Sequence, residues 1–365
     1  MKKVISIICW FMLLVLAGCR DASPYVEEPS AEEQTVMLNL DITTRADNLP
    51  PDNSEPDIIR LWIFDENEKF ITYVVSSQNV WTSLDDVDNV DDKIDIQTTL
   101  QTEIDAKDIN SKSELKIYLI LNQPYENSTI PTPIDFSKIK TIDELVQKTF
   151  VLTEYGGDNK VPMTGMGTAT CTAIEGNKIK FNTSIDATRC VAKLGIYCTK
   201  GSDVSELKIN QVTLSKVPNE GYLFEPDSYA SIEYTDTKNL LSTTETITKS
   251  YTGDMPAYSN DSWAETADAN FDEISSPYLL ENLNGEVTDD GFLQVDGTVS
   301  DDRYCITLDY SLNKVIYTKR IYVSQIERNQ YSKIYIRIND AITVDDICCQ
   351  VNSWTEHEME VPAFE

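Results

Sequence analysis

Across TVMLNLDITT, residues 35–44, the apolar side chains Val36, Leu38, Leu40 and Ile42 recur at every second position. That period belongs to a strand with one buried face, because successive side chains of an extended chain point to opposite sides. The residues that follow, RAD, put Arg45 in a small, polar setting with the composition of an exposed loop. A strand patterned for a core therefore runs straight into what resembles a cutting site.

Similar chemistry fills the rest of the chain. IIRLWIFDENEKFITYVV (58–75) reads as a β-hairpin around DENEK, and LKIYLIL (115–121) has the unbroken apolar character of a strand buried on both faces. Further strands are expected at 179–181, 190–198, 207–214, 304–308, 315–323, 334–338 and 347–351, while VPMTGMGT, from Val161, reads as turn-rich. The best helix signal lies at 136–146, with Thr141 as a cap and Glu144 at the capping-box position. The polar stretch 222–271 has poor periodicity and reads as loops with short strands. Val, Ile, Thr and Tyr dominate the strand runs, so the fold class is all-β, a β-sandwich in each half with a few short helices. A length of 365 residues at 41% hydrophobic composition is enough for two cores.

The chain opens with Lys2 and Lys3, an apolar run over 4–16, and LAGC ending at Cys19, which are the charged, apolar and small-residue zones of an export signal. The run is too short to span a bilayer comfortably. LAGC resembles the lipobox of bacterial lipoproteins, which implies that Cys19 is acylated and becomes the new N-terminus; the alternative is a secreted protein whose signal happens to end near a cysteine. The acidic, proline-containing stretch 21–34 has the composition of a flexible tether. A formal net charge of -31 argues against nucleic acid as a partner and against adhesion to anionic lipid surfaces.

Catalytic and metal-binding signals are weak. His357 is the single histidine, no G-x-S-x-G elbow accompanies it, and the GMGT at Gly165 lacks the length and the lysine of a phosphate loop. No catalytic residue, metal ligand or cofactor is assigned. The aspartates of 85–95 could form a calcium loop, but they lack the turn glycine and distal glutamate of an EF-hand, and a solvated acidic loop is the simpler reading. Beyond Cys9 and Cys19, six cysteines remain, with no CxxC pair. In RCVAKLGIYC the even spacing would put Cys190 and Cys198 on the face of Ala192, Leu194 and Ile196 as ordinary buried thiols.

Several stretches together resemble the fimbrillin family of Bacteroidales, the pilins of type V pili. They are the lipobox at Cys19, TTRAD around Arg45, VPMTG from Val161, TRCVAKLGIYC from Thr188, PYLLEN from Pro277, RNQYSKIYIRI from Arg328 and the closing CQVNSWTEHEMEV. The resemblance implies a lipoprotein precursor carried to the outer membrane, then assembled into a cell-surface fimbrium that supports adhesion. It implies two transthyretin-like, Greek-key sandwich domains at 46–186 and 187–340, preceded by a signal peptide (1–19) and a segment holding the tether and removable first strand (20–45). An arginine-specific protease would cut between Arg45 and Ala46. The lipid and the strand carrying Val36, Leu38, Leu40 and Ile42 would leave, and a C-terminal strand of another pilin subunit would fill the groove.

The residues make physical sense of that scheme. Removing a strand with four buried apolar side chains would uncover a groove with unsatisfied backbone edges, a template for another strand. A donor must itself alternate and lie near a free end. Within 341–365, Ile347, Cys349 and Val351 share one side of an extended strand, Cys348, Gln350, Asn352 and Trp354 the other, and Met359 and Val361 form a second short alternation. Pairing of this segment within its own sandwich is the competing reading. The functional expectation is a shaft pilin; the alternatives are a tip or anchor subunit, or a surface lipoprotein that binds host or bacterial glycan or protein ligands through Trp81 and Trp263.

Overall fold

The computed structural model describes residues 35–44, 56, 58–77, 79–84, 95–104, 109–122, 135–152, 161–226, 233–235, 237–241, 243–256, 261–284, 293–295, 302–323, 325–339 and 346–353. The first half holds β1 (Thr35–Thr44), β2 (Ile59–Asp65), β3 (Phe70–Ser76), β4 (Thr82–Leu84), β5 (Asp95–Ile104), β6 (Glu114–Leu121), β7 (Thr149–Phe150), β8 (Met163–Glu175) and β9 (Lys178–Arg189). Eight of these form one sheet in the order β3-β2-β6-β8-β9-β1-β5-β4. β2 and β3 are the hairpin around DENEK. Asp65 closes its turn, with Oδ1 accepting from the Asn67 and Lys69 amides, both at 2.9 Å.

The second half holds β10 (Ala192–Lys200), β11 (Leu207–Ser215), β12 (Val217–Pro218), β13 (Gly221–Tyr222), β14 (Tyr234–Thr235), β15 (Lys238–Asn239), β16 (Glu245–Thr246), β17 (Asp272–Ser275), β18 (Tyr278–Leu279), β19 (Leu293–Val295), β20 (Cys305–Leu312), β21 (Val315–Val323), β22 (Gln330–Ile338) and β23 (Asp346–Ser353). One sheet runs β17-β10-β22-β23 with β18 beside β10, and the other runs β15-β11-β20-β21-β19 with β16 beside β11. Leu194 and Ile196 of the first pack with Val212, Ile306 and Leu308 of the second in one core, so the two sheets make a sandwich. β10 is buried along both faces, because its far side meets an aromatic group of Tyr197, Phe271 and Tyr335 under the helix Asp261–Asn270. The all-β fold class in tandem units holds.

Several local expectations change. VPMTGMGT is no turn, since Met163 begins the 13-residue β8. Its glycines serve close approach: a Cβ on Gly165 would stand 2.5 Å from Ile185 Cγ2, and one on Gly167 would stand 2.7 Å from Ile185 Cγ1. β6 is buried on both faces only toward its end, because Lys116 and Tyr118 are half-exposed. The run 136–146 splits into a 3-10 turn, Phe136–Lys138, and the helix Ile142–Val146. Thr141 caps that helix as expected, its Oγ1 accepting from the Glu144 amide at 3.1 Å, and the Glu144 carboxylate takes the Lys140 amide and reaches back to the Thr141 amide, which lowers its pKa. In the stretch 222–271, the helix Asp261–Asn270 is the element that alternation misses.

Cys190 and Cys198 do not share a face. The first core runs through Cys190 and Val191, and the second begins at Ala192 and includes Cys198. Both are buried free thiols, and burial pushes the Cys190 thiol up to about 11 and Cys198 higher still. Neutral at physiological pH, they are poor nucleophiles.

The two halves are fastened by the pairing of β7 with β13 and by a junction at Leu223. The Leu223 carbonyl accepts hydrogen bonds from Thr164 Oγ1 (2.9 Å), Cys190 Sγ (3.3 Å) and Arg328 Nη1 (3.1 Å). Arg328 is paired with Glu281, Nη2 to Oε2 at 3.1 Å, and both side chains are only 9% exposed. Asn329 adds two bonds: its Oδ1 accepts from the Arg189 amide, and its own amide donates to the Val191 carbonyl. Leu223, Phe224, Tyr278, Leu280 and Tyr331 of the second half complete the first half's core. VPMTG, TRCVAK, PYLLEN and RNQY thus converge here, far apart in sequence and joined in space.

Removing one partner of a buried ion pair leaves the other charge uncompensated, so Arg328→Ala is expected to destabilise the protein by about 3 kcal/mol. Urea denaturation of the two proteins side by side measures it.

Candidate functional site

β1 is an interior strand, and its position follows from its pattern. Every second residue is apolar, so its inward face fills the first core: Val36, Leu38, Leu40 and Ile42 are all 0% exposed. On one side it pairs in parallel with β9, from Thr35↔Lys178 to Thr44↔Ala187. On the other it pairs antiparallel with β5, from Val36↔Ile104 to Thr44↔Ile96. The burial contributes roughly 1.5 to 3 kcal/mol per side chain, about 6 to 12 kcal/mol in all, before either ladder is counted.

The outward face of β1 is polar and bonded across the same two neighbours. Asn39 Nδ2 donates to Asn182 Oδ1 of β9 at 2.9 Å, and Gln101 Nε2 of β5 donates to Asn39 Oδ1 at 2.8 Å. Thr99 Oγ1 of β5 donates to Asp41 Oδ1 at 2.7 Å. Alternation marks Asn39, Asn182 and Gln101 as outward residues, but nothing local says that they meet. Their partnership depends on the sheet order, which brings together residues 143 positions apart.

Connectivity adds the decisive property. β1 is the first described element, and Thr44, its last residue, is paired on both sides and 3% exposed. A single break after Arg45 would leave β1 held to the sheet by non-covalent contacts alone, without interrupting another described strand. Arg45 and Ala46 themselves, like Cys19, lie outside the described residues.

At the other end of the chain, Ile347, Cys349 and Val351 lie on β23, an edge strand that pairs with β22 of the same sandwich. Their backbone partners are Ile336, Ile334 and Ser332, whose side chains are all buried. Residues 346–353 therefore follow the competing reading for this segment, pairing within their own domain. Among the described residues β23 is bonded on one side only, so its release breaks one ladder where release of β1 breaks two. Trp354, Met359 and Val361 lie outside the described residues, as do His357 and residues 85–94 of the acidic loop.

The two tryptophans offered as ligand platforms are structural. Trp81 is 7% exposed, and its Nε1 donates to the Pro56 carbonyl at 3.0 Å. Trp263 is half-buried edge-on against Tyr335, at 5.2 Å between ring centroids, and its Nε1 donates to the Asp254 carbonyl at 3.2 Å. Among the described residues no cluster of three or more His, Cys, Asp or Glu is placed to hold a metal ion.

No protein-family model and no curated protein sequence matches the chain. Solved structures share its fold. A candidate cell adhesion protein from Bacteroides eggerthii aligns over 88% of this chain and 96% of its own, with a TM-score of 0.54 at 10% identity. The tip fimbrial protein Mfa3 from Porphyromonas gingivalis, in a C-terminally truncated form, aligns over 87% and 98%, with a TM-score of 0.51 at 12% identity. A fimbrial assembly protein from Parabacteroides distasonis aligns over 88% and 97%, with a TM-score of 0.51 at 10% identity.

The inward and outward faces of β1 predict different sensitivities in the intact protein. Leu40→Ala should cost about 2–5 kcal/mol, and Asp41→Ala, at an exposed position, about 0.5 kcal/mol or less. Thermal and urea unfolding of the uncut chain measure both.

Proposed function

We propose that the chain is a structural subunit of a cell-surface fimbrium, exported as a lipoprotein precursor through Cys19 and held inactive by β1. Cleavage after Arg45 by an arginine-specific protease detaches β1 covalently, and a C-terminal strand of another subunit replaces it. The single observation that carries this reading is the position of β1, buried at 0% exposure at all four inward residues, paired on both sides, and followed directly in the sequence by Arg45. Two ladders and an apolar face make spontaneous loss of the cut strand slow, so a competing strand is needed to displace it. The fimbrial proteins that share the fold support the same reading, in which the chain has no catalytic role.

A shaft subunit needs both a groove and a donor, whereas a terminal subunit needs only one of them. This chain has a groove at β1 and an alternating segment at its C-terminal end, so it is read as a shaft subunit. In the donor the residues that fill the groove are Ile347, Cys349 and Val351, with Trp354, Met359 and Val361 following on the same segment. β23 is the resting state of that donor, docked on its own domain until a groove opens elsewhere. Adhesion to host or bacterial surface ligands would then belong to the assembled fimbrium.

Limited proteolysis with an arginine-specific enzyme, N-terminal sequencing and electron microscopy test this together. The cut chain should begin at Ala46 and form filaments, and Arg45→Ala should remain monomeric under the same treatment. Filaments from Arg45→Ala, or a monomeric fragment beginning at Ala46, would refute it. A fragment that only adds to the end of existing filaments would make the chain a terminal subunit.

A further inference from the structure

The groove around β1 has a polar rim that would read the strand entering it. Asn182 on β9 and Gln101 on β5 both bond to Asn39, which bridges them through Nδ2 and Oδ1. Once β1 leaves, those two amides face each other across the width of one strand. A side chain that bridges them must donate to one and accept from the other, as the primary amide of Asn39 does.

Resting on the strand-exchange reading above, we infer that Gln350 of a second copy takes the place of Asn39, and that this amide bridge sets the register of the incoming strand. With Gln350 at that position, Cys349 and Val351 fall where Leu38 and Leu40 lie. If the strand runs in the same direction as β1, Ile347 falls at Val36, and Asn352 falls at Asp41, where its amide oxygen can accept from the Thr99 hydroxyl that now bonds Asp41. Running the other way, Cys348 stands at Asp41 and the Thr99 bond is lost, so the parallel direction to β9 is favoured. In this alignment Ser353 stands at Ile42; a slip of two residues one way keeps the three apolar side chains in the groove but removes the amide from the Asn39 position and buries Asp345 at the Val36 position, and a slip the other way expels Ile347 and puts Ser353 at Leu40. The amide bridge and the cost of burying Asp345 or expelling Ile347 therefore select the same alignment.

The amide bridge is tested in the full chain after arginine-specific cleavage, with filament growth followed by light scattering and the fold of each uncut variant checked by thermal melting. Asn182→Leu should slow growth about fivefold, the equivalent of roughly 1 kcal/mol for the one hydrogen bond it removes, and Gln350→Leu, which removes both, should slow it further. The double variant should be no slower than Gln350→Leu alone, because that change already breaks the bond that Asn182→Leu removes. Gln350→Asn should restore part of the rate. Deletion of 341–365 separates the two levels. If the deletion stops growth while Gln350→Leu and Asn182→Leu grow normally, or if their effects simply multiply, the amide register is wrong and strand exchange stands. If the deleted chain still grows filaments, the strand-exchange reading itself fails.

Discussion

Everything else in the first domain depends on one strand being held from three directions. β9 and β5 satisfy both edges of β1, and the core takes its inward face. Removing an interior strand is far more costly than removing an edge strand, because it exposes two rows of backbone donors and acceptors along with the apolar floor between them. In the proposed mechanism, severing its covalent link turns such a strand into a plug, stable in place and replaceable by a segment that offers the same ladder, a similar alternation and a matching amide. The stability of the intact chain and the reactivity of a cut chain are two readings of the same contacts.

A plug of this kind is useful only if the remainder keeps its shape when the plug is exchanged. The junction at Leu223 supplies that stiffness. Its carbonyl gathers donors from β8, from the β9–β10 connection and from Arg328, and the Arg328–Glu281 pair is shielded from water on both sides. Five apolar side chains of the second half also close the bottom of the first core. Only Cys190 and Val191 separate β9 from β10, and both are buried in the first core.

The sequence makes some of this plain and hides the rest for physical reasons. The alternation across 35–44 is legible because it is local, and so is the hairpin at DENEK. The turn reading of VPMTGMGT fails because glycine serves equally in a turn and in a strand that another chain crosses closely; only the position of Ile185 decides between them. The helix Asp261–Asn270 escapes notice because its buried face is narrow, with Ala267 as its fully covered residue and Trp263 only half-buried. Cys190 and Cys198 share a parity in sequence but are buried in different cores. The motifs VPMTG, TRCVAK, PYLLEN and RNQY point to a family without revealing that their common task is to build one junction. The amide bridge through Asn39 is invisible for the same reason, since it links three strands distant in the chain.

Strand exchange makes a direct demand on the composition of a filament. The most direct measurement is mass spectrometry of filaments grown from arginine-cleaved precursor and washed free of monomer, with the peptide that ends at Arg45 quantified against the rest of the chain. Exchange predicts that this peptide is present one for one in cut monomers and absent from filament subunits. Filaments that retain it in full measure would mean that β1 never left its groove, and would contradict the mechanism.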